Sequence, residues 1–203
     1  MKTIVLSSKI SIDRYKKINF LIDEDLSKFI NELNLKLFPI SFKKKQINLK
    51  DMNTSNGLIL AGGGDIYKYN KITINKIRDK YEKKLFKFFL KKNKPILLIC
   101  RGFQLIADLY GIKLQKIKNH VRKFHSLNVT GSKYLKKSKI KVNSFHNFSI
   151  KKLPKEFKII SITNDDSIEI AEHKSKKILC LMFHPERKMP SQKIILKSIK
   201  NFF

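Results

Sequence analysis

The sequence predicts an α/β fold built around a mostly parallel sheet. Short apolar runs rich in branched residues alternate along the chain with segments whose apolar residues recur at helical spacing. This alternation is typical of βα units, in which helices cover both faces of a parallel sheet. With 203 residues the chain has the size of one α/β domain, and a second domain would leave two undersized cores. We therefore expect residues 1–203 to form a single domain.

The first half of the chain supplies the clearest elements. The predicted strands, all short and apolar, are Thr3–Ser7, Leu35–Ile40, Gly57–Ala61 and Pro95–Ile99. The predicted helices are Asp25–Asn34, a helix that carries Ile77, Tyr81, Leu85, Phe88 and Phe89 on one face, and Gly102–Tyr110 with Gly111 as its C-terminal cap.

The second half has shorter apolar runs. They predict strands at Ser126–Val129, Lys139–Asn143, Lys158–Thr163, Ser167–Ala171 and Ile178–Phe183, before a terminal helix from Ser191.

The formal net charge of +29 raises the question whether the protein binds nucleic acid, because clustered cations gain affinity for nucleic acid by releasing phosphate counterions. The charge is almost all lysine, scattered among Ile and Asn as a coding bias would scatter it. Arginine, the residue best suited to bidentate phosphate and base recognition, is scarce. A solvated lysine surface explains the charge, and we expect no nucleic-acid partner.

The sequence has no pattern typical of a membrane-spanning, secreted or disulfide-bonded protein. No apolar run reaches the eighteen or more residues that a membrane-spanning helix needs, and the N-terminal apolar run is too short for a signal peptide. The two cysteines, Cys100 and Cys180, lie in apolar runs and form no disulfide framework. We expect a reduced, cytoplasmic protein with no membrane contact. The oligomeric state is left open, a homo-oligomer included.

Cys100 stands where a predicted strand becomes a helix, in the run Leu98-Ile99-Cys100-Arg101-Gly102. A sharp turn of this kind presents a nucleophilic side chain in an exposed, strained position. The helix N-terminus favours the thiolate, which is the reactive form of cysteine. A lone cysteine in an apolar run is more often a packed core residue, so the nucleophile assignment needs a base nearby.

His184-Pro185-Glu186 supplies that base, because it follows the predicted strand Ile178–Phe183 and so lies at a strand end, where α/β sheets place their sites. His184 can take the thiol proton, and Glu186 can hold the other imidazole nitrogen and fix the tautomer. Alone, a His-x-Glu run is weak evidence; together with the cysteine turn it predicts a catalytic triad of Cys100, His184 and Glu186.

Gly62, Gly63 and Gly64 follow another predicted strand. Glycine lets the backbone approach a substrate closely and aim its amides at a developing oxyanion, and the amide of Arg101 could join them. A phosphate-binding loop is disfavoured, because the Gly-Lys-Ser/Thr or Gly-x-x-Gly context is missing.

Four runs together carry a family resemblance. They are Ala61-Gly62-Gly63-Gly64-Asp65, Ile99-Cys100-Arg101-Gly102-Phe103-Gln104, Asn143-Ser144-Phe145-His146 and Phe183-His184-Pro185-Glu186. In order and content they resemble the class I glutamine-amidotransferase-like γ-glutamyl hydrolases. The resemblance implies a flavodoxin-like three-layer α/β/α fold, the triad above and a glutamyl thioester on Cys100. It also implies that Gln104, Asn143, Ser144 and His146 bind the glutamyl part, and it implies no cofactor.

Three departures from the family pattern refine this expectation. Leu98 stands where a glycine is usual, and Phe183 replaces a tryptophan, but neither is a reacting group. The usual Asn-Ser-x-His-His-Gln run reads here as Asn-Ser-Phe-His-Asn-Phe over residues 143–148. That form looks like the γ-glutamyl-CDP-amidate hydrolases, which act in making the phosphoramidate of bacterial surface polysaccharides.

The remaining histidines carry no motif. We expect His120 and His125 to be solvated in a loop, although they could border the substrate site, and His173 to lie on the surface. No Cys, His and carboxylate set has zinc-ligand spacing, so we expect no metal, and Cys180 is expected to fill core space.

The leading hypothesis is hydrolysis of a γ-glutamyl amide, with γ-glutamyl-CDP-amidate as the specific substrate. Same-site alternatives are a γ-glutamyl-γ-aminobutyrate-type hydrolase and a glutaminase subunit that passes ammonia to a synthase. A non-catalytic basic binding module is the alternative from another class, and the intact triad argues against it.

Overall fold

The computed structural model describes residues 1–7, 9–38, 40, 42–43, 46–47 and 51–203. The helices are α1 (Glu24–Glu32), α2 (Thr73–Lys91), α3 (Arg101–Leu109) and α4 (Gln192–Phe202). In chain order the strands of these ranges are β1 (Lys2–Ser7), β2 (Lys9–Ile12), β3 (Ile18–Leu21), β4 (Leu35–Phe38), β5 (Phe42–Lys43), β6 (Gln46–Ile47), β7 (Gly57–Leu60), β8 (Ile96–Ile99), β9 (Gln115–Lys116), β10 (Val121–Val129), β11 (Ser138–Phe145), β12 (Phe148–Ser149), β13 (Phe157–Ile162), β14 (Ile168–His173) and β15 (Ile178–Leu181).

Seven of these strands form the central sheet, in the spatial order β13-β14-β15-β8-β7-β1-β4. The five strands from β15 to β4 run parallel to one another. β13 and β14 extend the sheet with antiparallel pairing. Beside the sheet, β10 and β11 form a long antiparallel hairpin, registered from Val121 opposite Phe145 to Val129 opposite Ser138. The mostly parallel α/β sheet expected from the sequence is therefore confirmed.

Side chains alternate between the two faces of the sheet, and each face has its own core. In β8, Leu97 and Ile99 belong to the core that contains α1, α4 and the β10–β11 hairpin. Ile96 and Leu98 belong to the opposite core, beneath α2 and α3. Because both faces are covered, these strands read as continuous apolar runs in the sequence. The result is a three-layer α/β/α arrangement.

The predicted elements are present with small shifts at their ends. The predicted strand Leu35–Ile40 is observed over Leu35–Phe38, and Pro39 lies outside the described residues. Gly111, predicted as a helix cap, has a φ of +80° just after α3. The amides of Gly111 and Ile112 close the helix end by bonding to the carbonyls of Asp108 and Ala107.

The predicted buried face of α2 needs correction. Leu85 and Phe89 are buried as expected, but Ile77, Tyr81 and Phe88 are half-buried. The N-terminal half of the helix instead buries polar residues, namely Asn75, Arg78, Asp79 and Glu82. These charges pair with groups beneath the helix, so the inward face differs from the one that apolar spacing alone indicates.

Three adjacent parallel strands end at the same edge of the sheet. Cys100 follows β8, the glycine run follows β7, and His184 lies shortly after β15. The carboxyl edge of an open parallel sheet is where such folds place their ligands. Within the described ranges, no helix combines the length and apolar character needed to cross a bilayer.

Candidate active site

Cys100 occupies a strained turn between β8 and α3. Its φ is +45° and its ψ is −101°, values that L-residues other than glycine rarely adopt. Its backbone amide donates to the carbonyl of Leu181 at 2.7 Å, which ties the turn to β15. Strain of this kind persists only where the surroundings enforce it, and it is typical of functional sites. The turn places Cys100 at the N-terminus of α3, whose positive end favours a thiolate.

Gly102 allows this turn to lie close to the neighbouring strand. A Cβ at position 102 would stand 2.4 Å from the carbonyl oxygen of Leu60 in β7. Any larger residue would therefore push the start of α3 away from the sheet. The glycine explains how a helix can begin directly at the cysteine while remaining packed against β7.

His184 and Glu186 are in direct contact at the edge of the site. His184 Nδ1 lies 2.6 Å from Glu186 Oε1, and both side chains are almost fully buried. Burial opposes protonation of the imidazole, but attraction to the Cys100 thiolate and the Glu186 carboxylate outweighs it and raises the pKa of His184 to about 10. The arrangement favours the protonated imidazole at neutral pH.

Asn143 holds the backbone of His184 from both sides. Its Oδ1 accepts from the His184 amide at 2.9 Å, and its Nδ2 donates to the His184 carbonyl at 2.8 Å. The ring of Phe145 meets the imidazole edge-on, with centroids 5.8 Å apart. The position of the base is therefore fixed by the hairpin strand β11 as well as by its own loop.

The glycine run is held by a buried arginine. Arg78 of α2 donates to the carbonyls of Gly63 at 2.6 Å, Ala61 at 2.9 Å and Gly62 at 3.1 Å. The amides of Gly63 and Gly64 make no backbone hydrogen bond within the described residues, and both glycines have positive φ values of 88° and 75°. With the carbonyls fixed on one side, the amides can serve as oxyanion donors on the other.

Arg78 belongs to a buried network of ion pairs. Its Nε donates to Glu82 Oε1 at 2.8 Å, and Ser7 Oγ donates to the same oxygen at 3.0 Å. Arg101 pairs with both Asp79 and Glu82 and is fully buried. Two guanidinium groups and two carboxylates balance each other, so this network lies within the fold without net charge. Sequence patterns gave no sign of it, because charged residues on a helix usually face solvent.

A cavity of about 350 Å³ opens at this edge of the sheet. Cys100 and His184 line it, together with the predicted residues Gly63, Gly64, Gln104 and His146. Gly62 borders a small adjoining space beside His184 and Glu186. The structure thus gathers most of the residues singled out in the sequence around one reactive sulfur.

Three predicted residues lie behind the cavity wall. The Asn143 side chain donates to the carbonyl of His184 in the following loop. Ser144 Oγ donates to the His120 carbonyl at 2.6 Å, and the Arg101 side chain forms ion pairs. None of the three lines the cavity. Arg101 still follows Cys100 as the first residue of α3, where its amide has no acceptor within the helix.

The expectations for the other histidines are wrong. His120 is 5% exposed, and His125 is half-buried in β10 with its ring 4.3 Å from that of His120. His173 is 7% exposed and accepts hydrogen bonds from the amides of Ser175 and Lys176. The residues next to them in sequence include the exposed Lys118, Asn119, Ser126 and Lys174, so local composition did not distinguish these buried rings. Cys180 fills core space as predicted, with no exposed surface.

Comparison with known proteins decides the family. The Peptidase C26 model matches residues 16–186. The chain belongs to the peptidase C26 family. It is 36% identical over 130 residues to γ-glutamyl-CDP-amidate hydrolase of Campylobacter jejuni, an alignment that covers 64% of this chain and 62% of that protein. The chain therefore spans less than two thirds of the length of this relative.

Two further comparisons support the peptidase C26 assignment and the fold. A glutamine amidotransferase-like protein of Lactococcus lactis is 31% identical over 173 residues, which cover 70% of this chain and 71% of that protein. The solved structure of a GMP synthase subunit from Thermoplasma acidophilum superposes with a TM-score of 0.73 at 22% identity, covering 100% of this chain and 94% of that chain. The structural match establishes the class I glutamine amidotransferase fold.

Proposed function

We propose that this peptidase C26 member is a cysteine hydrolase that cleaves a γ-glutamyl amide. The observation that carries the proposal is the strained Cys100 turn with His184 beside it and Glu186 Oε1 2.6 Å from His184 Nδ1. A nucleophile, a base and a residue that orients the base are the three parts of covalent acyl transfer.

In the first half of the reaction, the Cys100 thiolate attacks the γ-carbonyl carbon. The carbonyl oxygen becomes an oxyanion, which the amides of Gly63, Gly64 and Arg101 can stabilise. His184 then donates its proton to the nitrogen of the leaving group as the C–N bond breaks. The products of this step are the released amine or phosphoramidate and a glutamyl thioester on Cys100.

In the second half, water attacks the thioester carbon while His184 takes one of its protons. Collapse of the second tetrahedral intermediate breaks the C–S bond, releases glutamate and restores the Cys100 thiolate. Glu186 keeps the imidazole in the orientation that both proton transfers need. Gln104 and His146 both line the cavity beside the sulfur; we expect Gln104 to bind the glutamyl part and His146 to support it through the Phe148 carbonyl that both contact.

We propose γ-glutamyl-CDP-amidate as the substrate, giving L-glutamate and cytidine diphosphoramidate for surface polysaccharide synthesis. The 36% identity to the Campylobacter jejuni hydrolase and the form of residues 143–148 support this choice. Lys9 and Arg187 add positive charge to the cavity, as an anionic leaving group requires.

A groove of about 710 Å³ offers a place for the nucleotide. It is lined by His120, next in sequence to the cavity residue Val121, and by Lys118, Lys139 and Phe124. The Phe124 ring is 54% exposed, which suits stacking with a base. The two lysines can neutralise the diphosphate. We therefore place the cytidine diphosphate part of the substrate in this groove.

A second candidate is glutamine hydrolysis for a separate synthase, favoured by the Lactococcus lactis relative that is named for amidotransferase likeness. Glutamate release should be measured with γ-glutamyl-CDP-amidate, γ-glutamyl-γ-aminobutyrate and glutamine in parallel. The nucleotide amidate should give the highest kcat/KM. Preference for glutamine would favour the second candidate, and no turnover of any substrate would refute both.

Matched cysteine variants test the mechanism. Cys100→Ala should abolish thioester formation, whereas Cys180→Ala removes a buried thiol from the core on the opposite face of the sheet and should leave kcat within a few fold. A Cys100→Ala protein with full activity would overturn the proposed chemistry. Lys139→Ala and Phe124→Ala should raise KM for the nucleotide amidate and leave KM for glutamine unchanged; equal effects on both substrates would exclude the groove.

A further inference from the structure

Two histidines and a glutamate meet beneath the wall of the catalytic cavity. His120 precedes β10, His146 follows β11 and Glu169 lies on β14, so three separate segments converge. One nitrogen of each ring and a carboxylate oxygen lie within 4.8 Å of one another. His146 Nε2 is 3.3 Å and His120 Nδ1 is 4.0 Å from Glu169 Oε1. All three residues are at least nine-tenths buried.

The atoms that face each other have no hydrogen-bond partner. This holds, among the described residues, for His120 Nδ1, His146 Nε2 and both oxygens of Glu169. Burying a carboxylate without hydrogen bonds or a cation is very unfavourable. Glu169 has no exposed surface. A cation bound against Glu169 would remove this cost.

The other nitrogen of each ring is already engaged. His146 Nδ1 lies 3.0 Å from the Phe148 carbonyl, and His120 Nε2 lies 3.1 Å from Asp165 Oδ2. The Phe148 carbonyl oxygen and Asp165 Oδ2 can only accept hydrogen bonds. His146 Nδ1 and His120 Nε2 must therefore each carry a proton. In the neutral rings, the remaining lone pairs then point at the Glu169 carboxylate. Histidines that bind metals almost always donate their other ring N–H to a carbonyl or carboxylate in this manner.

We propose that His120 Nδ1, His146 Nε2 and the Glu169 carboxylate bind a divalent transition-metal ion, with Zn²⁺ as the best match. Two imidazoles and a carboxylate are a common zinc donor set, and Zn²⁺ bonds of about 2.0–2.2 Å place neighbouring donors about 3.3 Å apart. The His146–Glu169 pair already has that spacing. The His120–Glu169 pair needs only a small closure.

The metal would have a positioning role in the catalytic site. His146 lines the cavity, and the Phe148 carbonyl that receives its Nδ1 proton also accepts from Gln104 Nε2 at 3.0 Å. Fixing His146 through its Nε2 therefore also fixes the Phe148 carbonyl and, through it, Gln104 beside the sulfur. The same ion would join the β10–β11 hairpin to the central sheet.

Zinc binding can be measured apart from catalysis. The measurement uses the whole chain with the substitution Cys100→Ser. This substitution removes the Cys100 thiol, which would otherwise compete for Zn²⁺ beside His184. After removal of bound metals with a chelator, titration calorimetry should show one Zn²⁺ per chain. Co²⁺ in its place should give the visible absorption of a four- or five-coordinate nitrogen and oxygen site.

Two ligand variants test the assignment. Glu169→Gln keeps the shape and removes the charge, and His120→Gln keeps an N–H toward Asp165 while removing Nδ1. Each should weaken Zn²⁺ binding by at least about a hundredfold, given that even second-shell changes cost 10–100-fold. His173→Asn is the matched control, because it alters a buried histidine on the same strand and keeps an acceptor for the amides of Ser175 and Lys176.

Either of two results would overturn the metal site. One is the absence of stoichiometric Zn²⁺ binding by the folded Cys100→Ser protein, which would leave a protonated histidine as the cation beside Glu169. The other is unchanged affinity in both ligand variants, confirmed as folded by circular dichroism. Because the measurement uses a protein without its nucleophile, failure of the proposed hydrolase function would leave the result intact.

Discussion

Arg78 Nη1 donates a 2.6 Å hydrogen bond to the carbonyl of Gly63, and the same guanidinium reaches the carbonyls of Ala61 and Gly62. A single buried side chain from α2 thereby sets the orientation of three consecutive peptide groups. The glycine run would otherwise be the most conformationally free part of the site. Arg78 is thus a positioning residue for the oxyanion donors, although it touches no reacting atom.

Arg78→Lys tests this role. Lysine keeps the charge beside Glu82 but cannot span three carbonyls, so we expect kcat to fall about a hundredfold, as displacements near 1 Å can do. KM should change little. The measurement is steady-state kinetics together with the denaturation midpoint.

The control for this variant is Lys83→Met on the same helix. Lys83 makes a partly exposed 3.7 Å ion pair with Asp108, and its loss should change neither kcat nor, beyond about 0.5 kcal/mol, the free energy of unfolding. An Arg78→Lys protein with wild-type kcat would show that the glycine run holds its orientation unaided.

Glu186→Gln should lower kcat by about 10²–10⁴-fold, in the range found when the orienting carboxylate of a triad becomes an amide. The amide can present its NH₂ group to His184 Nδ1 and favour the wrong tautomer. The loss of a carboxylate that raises the His184 pKa should also move the alkaline limb of kcat/KM to lower pH. A full pH–rate profile of both proteins measures both effects. If the alkaline limb did not shift, the group whose titration causes it would not be His184.

The raised pKa of His184 predicts a pH dependence of stability. Its value of about 10 in the folded protein lies above the ordinary 6.5. The protonated imidazole therefore stabilises the fold fully below about pH 6.5, and this contribution is lost as the pH rises through about 10. Urea unfolding from pH 6 to 10.5 should show a steeper loss in the wild type than in His184→Gln. Parallel curves would contradict the raised pKa of His184.

The convergence of the candidate site residues could be predicted because their signals are local. Cys100, His184 and the glycine run each follow a short apolar strand, and parallel strands bring their carboxyl ends to one edge. Sequence order was therefore enough to place three distant segments together before any distance was known.

The supporting residues could not be predicted in the same way. Arg78, Asp79 and Glu82 look like a solvated helix face, and their burial depends on Arg101, which follows the nucleophile. His120, His146 and Glu169 come from three segments with no ligand spacing in the sequence. Such clusters are created by tertiary packing, so the pattern of neighbouring residues carries little trace of them.

Two glycine variants should separate chemistry from folding. A Cβ at Gly62 would lie 2.5 Å from His184 Cε1, which belongs to a side chain, whereas a Cβ at Gly102 would lie 2.4 Å from the backbone carbonyl of Leu60. An imidazole can rotate away, but a strand in the middle of the sheet cannot move without loss of packing. Gly62→Ala should therefore lower kcat by at least about tenfold by displacing the base, with only a small change in the unfolding midpoint.

Gly102→Ala should instead lower the unfolding free energy by about 1–3 kcal/mol, the usual cost of overpacking a core. Active-site titration with a thiol-specific reagent gives the fraction of functional Cys100 in each preparation, so that kcat is counted per folded site. If Gly62→Ala proved the more unstable of the two while retaining wild-type kcat per site, then His184 would not lie against the glycine run during turnover. The geometry during turnover would then differ from that of the structure, in which His184 lies beside Cys100.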